Sequence, residues 1–215
     1  MIRLFDWSGQ DKAGVRFEKE TFAQGQVLMA RLDDAVFDHC FFEEVDFSGS
    51  ALAGASFRGC VFQGCRFSGA FAPRSDWIGS QLTSCHADNL NVTAARLDAT
   101  QWRRANLDGA ILTRATATGA LWGECHFRQS NFEFARLDNT SWEFVAAGHA
   151  TFGFARLDRA RLQDSQFPDT DFSGASLEGL QAIRCHFERA DFWWTGVVPA
   201  VAFLECRLLE CRWPG

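Results

Sequence analysis

Residues 45–69 read VDFSG-SALAG-ASFRG-CVFQG-CRFSG. In each group of five the first residue is small or β-branched, the third is large and apolar, and the fifth is glycine. Outward from this stretch, the third place is apolar at all 36 positions from Phe17 to Phe192. The first place, from Val15 to Ala190, holds Ala, Cys, Ser, Thr, Val or Gly at 33 of 36 positions, with three exceptions: Glu20, Leu90 and Leu180. A five-residue period that continues over so many repeats predicts one repeat architecture for the whole chain.

A period of five fits neither the 3.6-residue repeat of a helix nor the two-residue repeat of a strand. It requires a chain that turns a corner every five residues, with the first and third places pointing inward and the other three facing solvent. This pattern resembles the pentapeptide-repeat family, A(D/N)LXX, most clearly at residues 105–109 (ANLDG), 190–192 (ADF) and 45–49 (VDFSG). The resemblance implies an all-β, right-handed quadrilateral β-helix of about ten coils of 20 residues, stabilised by stacking of neighbouring coils.

The phase of the repeat predicts a single β-helix over residues 15–213. Lys12 interrupts the inward column, so residues 1–14 are predicted to form an N-terminal cap or arm, which an open solenoid end requires. Near residues 196–200 the pattern shifts by one residue, which predicts a one-residue phase slip. A short helix over residues 197–204 is left open as an alternative for this segment.

The interior of the predicted β-helix combines large and small residues in one layer. Trp102 shares a coil with Ala117, and Trp142 shares one with Ala147, which is the compensation that a narrow interior needs. Trp122 has no such small partner. These three tryptophans fall on one face in successive coils, so we predict that they stack inside the solenoid.

The cysteines and histidines do not form a predicted metal site. The eight cysteines all occupy the small inward column, where a free thiol acts as a small apolar residue. In the Cys-His pairs at residues 85–86, 125–126 and 185–186 the thiol would point inward and the imidazole outward, so the two cannot share one ion. No nucleophile motif, glycine-rich phosphate loop or paired-carboxylate pocket is present. The sequence predicts no metal, no cofactor and no enzymatic activity.

Composition narrows the class of protein. A net charge of -6 disfavours direct, sequence-independent binding of nucleic acid, which requires a basic surface. No apolar run approaches the roughly 20 residues of a membrane span, and the first residues do not form a signal-peptide core. We therefore expect a cytoplasmic protein without membrane or nucleic-acid contact.

Two outer features are candidates for binding a protein partner. Phe134, Phe154 and Trp194 all take the solvent-facing fifth place, and their numbers differ by multiples of 20, so they are predicted to lie along one edge, with Trp193 beside them. A homodimer through this edge is one alternative. The second feature is an acidic coil at residues 31–50, whose carboxylates are Asp33, Asp34, Asp38, Glu43, Glu44 and Asp46.

A third outer feature is the recurrence of Arg-Leu-Asp at residues 96–98, 136–138 and 156–158, which is expected to form salt-bridged columns on one face. Such columns fit a solvated surface at least as well as a binding site.

Two functions follow from the resemblance. Several members of the pentapeptide-repeat family, the Qnr-type proteins among them, protect DNA gyrase and topoisomerase IV from quinolones and resemble B-form DNA in shape and charge. Ten coils would span about 48 Å, over which duplex DNA carries about 28 charges, whereas this chain has a net charge of -6. The sequence therefore favours a non-catalytic scaffold or adaptor that binds protein partners through its outer faces, for example as an accessory of a bacterial type VI secretion system. A DNA-mimicking protector of gyrase or topoisomerase IV is the alternative.

Overall fold

The chain folds as a four-sided solenoid of short parallel strands, described by a computed structural model for residues 5–195 and 201–214. Each side of a coil holds one five-residue repeat, and residues 20 apart lie side by side in neighbouring coils, as Phe42 and Phe62 do. The strands within the described residues are β1 (Arg16–Glu18), β2 (Thr21–Ala23), β3 (Val36–Asp38), β4 (Phe41–Glu43), β5 (Val61–Gln63), β6 (Gln81–Thr83), β7 (Gln101–Arg103), β8 (Leu121–Gly123), β9 (Ser141–Glu143), β10 (Arg161–Gln163), β11 (Gln181–Ile183), β12 (His186–Glu188), β13 (Ala202–Leu204) and β14 (Arg207–Leu209).

Stacking of the coils produces one long parallel sheet and three sides held mainly by single bridges. The sheet has ten strands in the order β13-β11-β10-β9-β8-β7-β6-β5-β4-β2, while β1 pairs with β3 and β12 with β14. On the remaining sides, isolated parallel bridges join residues such as Asn131 and Thr151. The described residues contain no helix, and thus none that could cross a membrane. The predicted fold class is confirmed as an all-β solenoid of about nine turns.

The four faces are numbered here by their first inward residues in the second coil. Face one begins with Phe22 and carries the ten-stranded sheet, face two begins with Val27, face three with Leu32 and face four with Phe37. The fifth place of each repeat forms the edge between one face and the next.

The corners are made by backbone geometry at the fifth place and by side chains at the second. Gly109 turns the chain with a φ of 68°, a conformation that glycine adopts without steric cost. Asn106, at the second place of the same repeat, accepts a hydrogen bond from the backbone N–H of Asp108 at 3.0 Å, and Asp46 does the same for Ser48 at 2.9 Å. Asp and Asn suit this place because their short side chains reach the backbone two residues on.

The core is the filled interior of the solenoid. Trp102, Trp122 and Trp142 are buried there, as predicted. Along each column the rings stack coil on coil, as Phe42 and Phe62 do with centroids 4.8 Å apart and planes 5° apart. Each turn therefore stabilises its neighbours through apolar contact as well as through backbone hydrogen bonds.

The solenoid begins earlier than the sequence predicts. Asp6 forms a parallel bridge to Gln26, so residues 5–14 of the predicted cap or arm continue the coil. Lys12 occupies an inward place, but in the terminal coil this place is only half-buried, and the ammonium lies 5.8 Å from the centroid of the Trp7 ring. A cation over an indole face is tolerated where a fully buried one would not be.

The C-terminal coil also contains β-strands, β13 and β14. The alternative of a helix over residues 197–204 is wrong for the part that is described, because residues 202–204 form β13. Asp171 and Asp191 pair 20 residues apart, whereas β11 pairs with β13 in a register of 21. The predicted place of the extra residue, 196–200, lies outside the described residues.

Candidate partner-binding surface

The edge that follows face three carries exposed aromatic rings in contact with each other. Phe134 and Phe154 are 49% and 60% exposed, and their rings stack with centroids 5.4 Å apart and planes 7° apart. The guanidinium carbon of Arg114, one coil earlier, lies 5.8 Å from the Phe134 centroid. The repeat places all three residues at the fifth position, so their side chains leave the corner in the same direction.

The strip of rings extends over the neighbouring glycine. A Cβ on Gly174 would lie 2.7 Å from two atoms of the Phe154 ring, so this ring covers the space that glycine leaves open. Trp194, one coil further, is 75% exposed. We call the residues Arg114, Phe134, Phe154, Gly174 and Trp194 the aromatic edge.

Trp193, the other aromatic candidate, is held by its own coil. Its backbone N–H donates to Asp191 Oδ1 at 2.8 Å, and the guanidinium carbon of Arg212 lies 4.4 Å from its ring centroid. Its side chain is half-buried and contributes less free apolar surface than Trp194 does.

Face three, next to the aromatic edge, has few charges. Of its 18 outward positions between residues 51 and 154, only Arg74, Arg114 and Glu133 are charged, whereas face four has nine charged residues over the matching positions 56–159. Phe71 and Ile111 are further exposed apolar residues on face three. Sequence reasoning missed them, although writing out the outward places of each face at a spacing of 20 would have revealed them.

Face four is a network of paired charges. Asp76 accepts ion pairs from Arg58 at 2.6 Å and from Arg96 at 3.3 Å, and Arg156 lies 3.3 Å from Asp138. Asp76, Asp138 and Asp158 are therefore ion-paired within the molecule, while Asp98 accepts hydrogen bonds from Thr116 Oγ1 and the Thr118 N–H.

Asp158, on the same face, is held in its charged form. Burial alone would raise the pKa of this carboxyl, but hydrogen bonds from Ser176 Oγ, the Glu178 N–H and Arg156 outweigh it and lower the pKa below its ordinary value. The Ser176 and Glu178 bonds come from the next coil, so the carboxylate links two coils.

The acidic coil at residues 31–50 does not form one patch. Its carboxylates are distributed over all four faces: Asp33 and Asp34 on face three, Asp38 on face four, Glu43 and Glu44 on face one, and Asp46 on face two. Asp33 is paired with Arg31 at 3.1 Å, and Asp38 contacts His39 at 2.8 Å. No face therefore receives more than two of the six carboxylates: Asp33 lies with Asp34, and Glu43 lies with Glu44.

The cysteines are all free thiols on the inward side, six of them buried and the last two, Cys206 and Cys211, half-buried. Burial raises the pKa of Cys125 to about 12, which keeps its thiol protonated. His86 and His126 are exposed on face two. Within residues 5–195 and 201–214 no group of three or more His, Cys, Asp or Glu side chains could hold a metal ion.

Comparison with known proteins identifies the same five-residue repeat. The sequence model of the pentapeptide repeats matches residues 30–69, 110–141 and 155–193, in eight copies. The chain belongs to the pentapeptide-repeat family. A sequence search of curated proteins gave no match.

Several solved structures are similar to this pentapeptide-repeat protein. HetL, a pentapeptide repeat protein involved in heterocyst differentiation regulation from the cyanobacterium Nostoc sp. strain PCC 7120, is 16% identical, with 98% of this chain and 87% of HetL covered at a TM-score of 0.42. A trypsin-treated variant of QnrB1, a plasmid-mediated fluoroquinolone resistance protein, is 16% identical, with 96% and 90% covered at a TM-score of 0.48. A pentapeptide repeat protein from the Arabidopsis thaliana thylakoid lumen is 24% identical over 44% of this chain and 63% of its own, at a TM-score of 0.34. At these identities the similarities carry no information on function.

Proposed function

We propose that this chain is a non-catalytic scaffold that binds a protein partner through face three and the aromatic edge. The observation that carries the proposal is the exposed stack of Phe134 on Phe154 beside a face with few charges. Interfaces are enriched in aromatic residues and depleted of charge at their centres, while the remaining protein surface is not.

The exposure of these residues supports a role outside folding. Phe134, Phe154 and Trp194 are 49%, 60% and 75% exposed, so much of each side chain adds nothing to the core. Their positive φ is shared by fifth-place residues along the whole solenoid and reflects the corner rather than the rings. Burying each ring against a partner would contribute about 1.5–3 kcal/mol before the costs of association.

A binding role agrees with the way the solenoid is filled. Its interior is packed with side chains, so chemistry and recognition are confined to the outer faces. We propose that the scaffold acts in the cytoplasm. One example of such a role is an accessory protein of a bacterial type VI secretion system.

The alternative, a DNA mimic that binds DNA gyrase or topoisomerase IV and protects it from quinolone-type inhibitors, has less support from the charges. From residue 51 onward the chain has 17 acidic and 16 basic residues. Asp76, Asp138 and Asp158 of face four are paired with arginines of the same face, so this face offers no continuous acidic stripe of the kind that duplex DNA presents.

The experiment is affinity capture from a bacterial lysate with a Phe134→Ser, Phe154→Ser, Trp194→Ser triple variant as bait. The matched control is Phe144→Ser, since Phe144 also takes the fifth place and is 56% exposed but lies on the edge after face one. We expect the triple variant to lose a partner that wild type and control retain, with unchanged circular dichroism. Equal recovery by all three baits would contradict the proposal.

Purified gyrase separates the two functions. On the scaffold proposal, the chain does not alter quinolone inhibition of DNA supercoiling. Dose-dependent protection of supercoiling would favour the DNA mimic instead.

A further inference from the structure

We infer that the partner on face three is a second copy of this chain, packed antiparallel so that Phe134 of each copy lies opposite Phe154 of the other. The inference rests on the proposed function, because it names the occupant of the same surface. It is argued from the order of residues along the aromatic edge and from the charges beside it.

A symmetric pair of solenoids can meet face to face in two ways. If the two-fold axis runs along the solenoid, the fifth places of one copy face the second places of the other, and the Phe134 and Phe154 rings meet Asn131 and Thr151. If the axis runs along the strands, the coils are antiparallel and fifth places face fifth places. Only the antiparallel arrangement brings the rings of the two copies together.

The antiparallel arrangement also matches large residues with small ones. With the axis midway between the coils of Phe134 and Phe154, Trp194 lies opposite Ala94, and Arg114 lies opposite Gly174. At the centre, Glu133 faces Gly153, which has no side chain and is buried. Such alternation allows close approach of two identical surfaces.

The charges on face three fit the same register. Asp171 lies opposite Ile111, and no coil between residues 91 and 194 places a like charge against its counterpart. A shift of one coil in one direction puts Glu133 opposite itself. A shift in the other direction places Phe134 opposite Gly174, so the Phe134 ring no longer meets a ring of the second copy.

The size of the contact sets the expected affinity. The overlapping coils extend over about 24 Å at the strand spacing of a sheet. This is a small interface, so we expect a dissociation constant in the micromolar range, about 1–100 µM.

The test is sedimentation velocity of the full chain over a wide concentration range. We expect wild type and the Phe144→Ser control to dimerise, and the Phe134→Ser, Phe154→Ser double variant to remain monomeric. A monomeric wild type would overturn the inference, and so would a dimer that survives the double substitution. In both cases a heterologous partner lost in the capture experiment would leave the proposed function standing.

A charge pair at one exposed position tests the orientation. Ile111→Lys places an ammonium opposite Asp171 of the second copy, whereas Ile111→Glu places a carboxylate there. Two such contacts form per dimer, so we expect the dissociation constant to fall about threefold to tenfold for Lys and to rise similarly for Glu. In the parallel arrangement position 111 faces Arg114, which reverses both signs; a reversal would overturn the antiparallel assignment.

Discussion

The indole rings of Trp122 and Trp142 lie one above the other inside the solenoid, with centroids 4.2 Å apart and planes tilted by 57°. Both side chains are fully buried, and Phe127 and Phe132 of the next two sides of the same coil pack edge-on or tilted against them. Truncation of either indole would therefore leave a buried cavity in the interior.

Replacing Trp122 by alanine is expected to lower the free energy of unfolding by about 3–5 kcal/mol, as large aromatic truncations in cores do. The matched control is Leu121→Ala, since Leu121 is the adjacent residue of β8 but is exposed. Chemical denaturation followed by circular dichroism measures both. A Trp122→Ala midpoint equal to that of the control would show that the inward assignment is wrong.

Two threonines at equivalent places allow one indole hydrogen bond to be isolated. Thr140 donates to the Leu137 carbonyl at 2.7 Å and accepts from Trp142 Nε1 at 2.9 Å. Thr100 donates to a carbonyl in the same way, but within the described residues Trp102 Nε1 has no partner. Thr140→Val is therefore expected to destabilise the fold by about 1 kcal/mol more than Thr100→Val, because it leaves a buried N–H unpaired. Equal unfolding free energies for the two variants would remove the assigned role of the Thr140 hydroxyl.

The acid sensitivity of the fold is expected to depend on Asp158. Its pKa is lower in the folded chain than in the unfolded one, so its contribution is fully present above the unfolded pKa and is lost as pH falls through the folded value. The difference in melting temperature between wild type and Asp158→Asn should therefore narrow as the pH falls below about 4. A constant difference from neutral to acid pH would mean that the carboxylate charge is not what stabilises this site.

The sequence predicted the fold because one signal, the five-residue period, fixes which residues point inward. It was less informative about the outer faces, because a period of five treats all four faces alike and only a spacing of 20 separates them. Phe71 and Ile111 were therefore not recognised as neighbours of the aromatic edge, although they lie on face three, because nothing in their own repeats distinguishes this face from the others. The six acids of residues 31–50 are close in sequence, yet the same corners distribute them around the solenoid.

The structure of the terminal coil and of the corners could not be predicted from the five-residue period alone. A charged Lys12 suggested the end of the coil, but a terminal coil leaves its inward places half-open and tolerates it beside Trp7. Glycine occupies many of these corners with positive φ, as Gly109 does at 68°. Phe134 and Phe154 adopt the same φ because hydrogen bonds to the next coil, from their N–H groups to Gly153 and Ser173 at 3.0 Å, hold the backbone there.

Gly174 offers a test of the aromatic edge that is independent of any partner. Its φ is 68°, and an alanine Cβ would have to displace the Phe154 ring. Gly69 has a similar φ of 64° with open space around it, so Gly69→Ala measures the backbone cost alone, about 1–2 kcal/mol. We expect Gly174→Ala to cost more than Gly69→Ala in unfolding experiments, and the excess to disappear in a Phe154→Ser background, where no ring has to move. An excess that persists without the ring would place its origin in the corner itself and contradict the packing of Phe154 over Gly174.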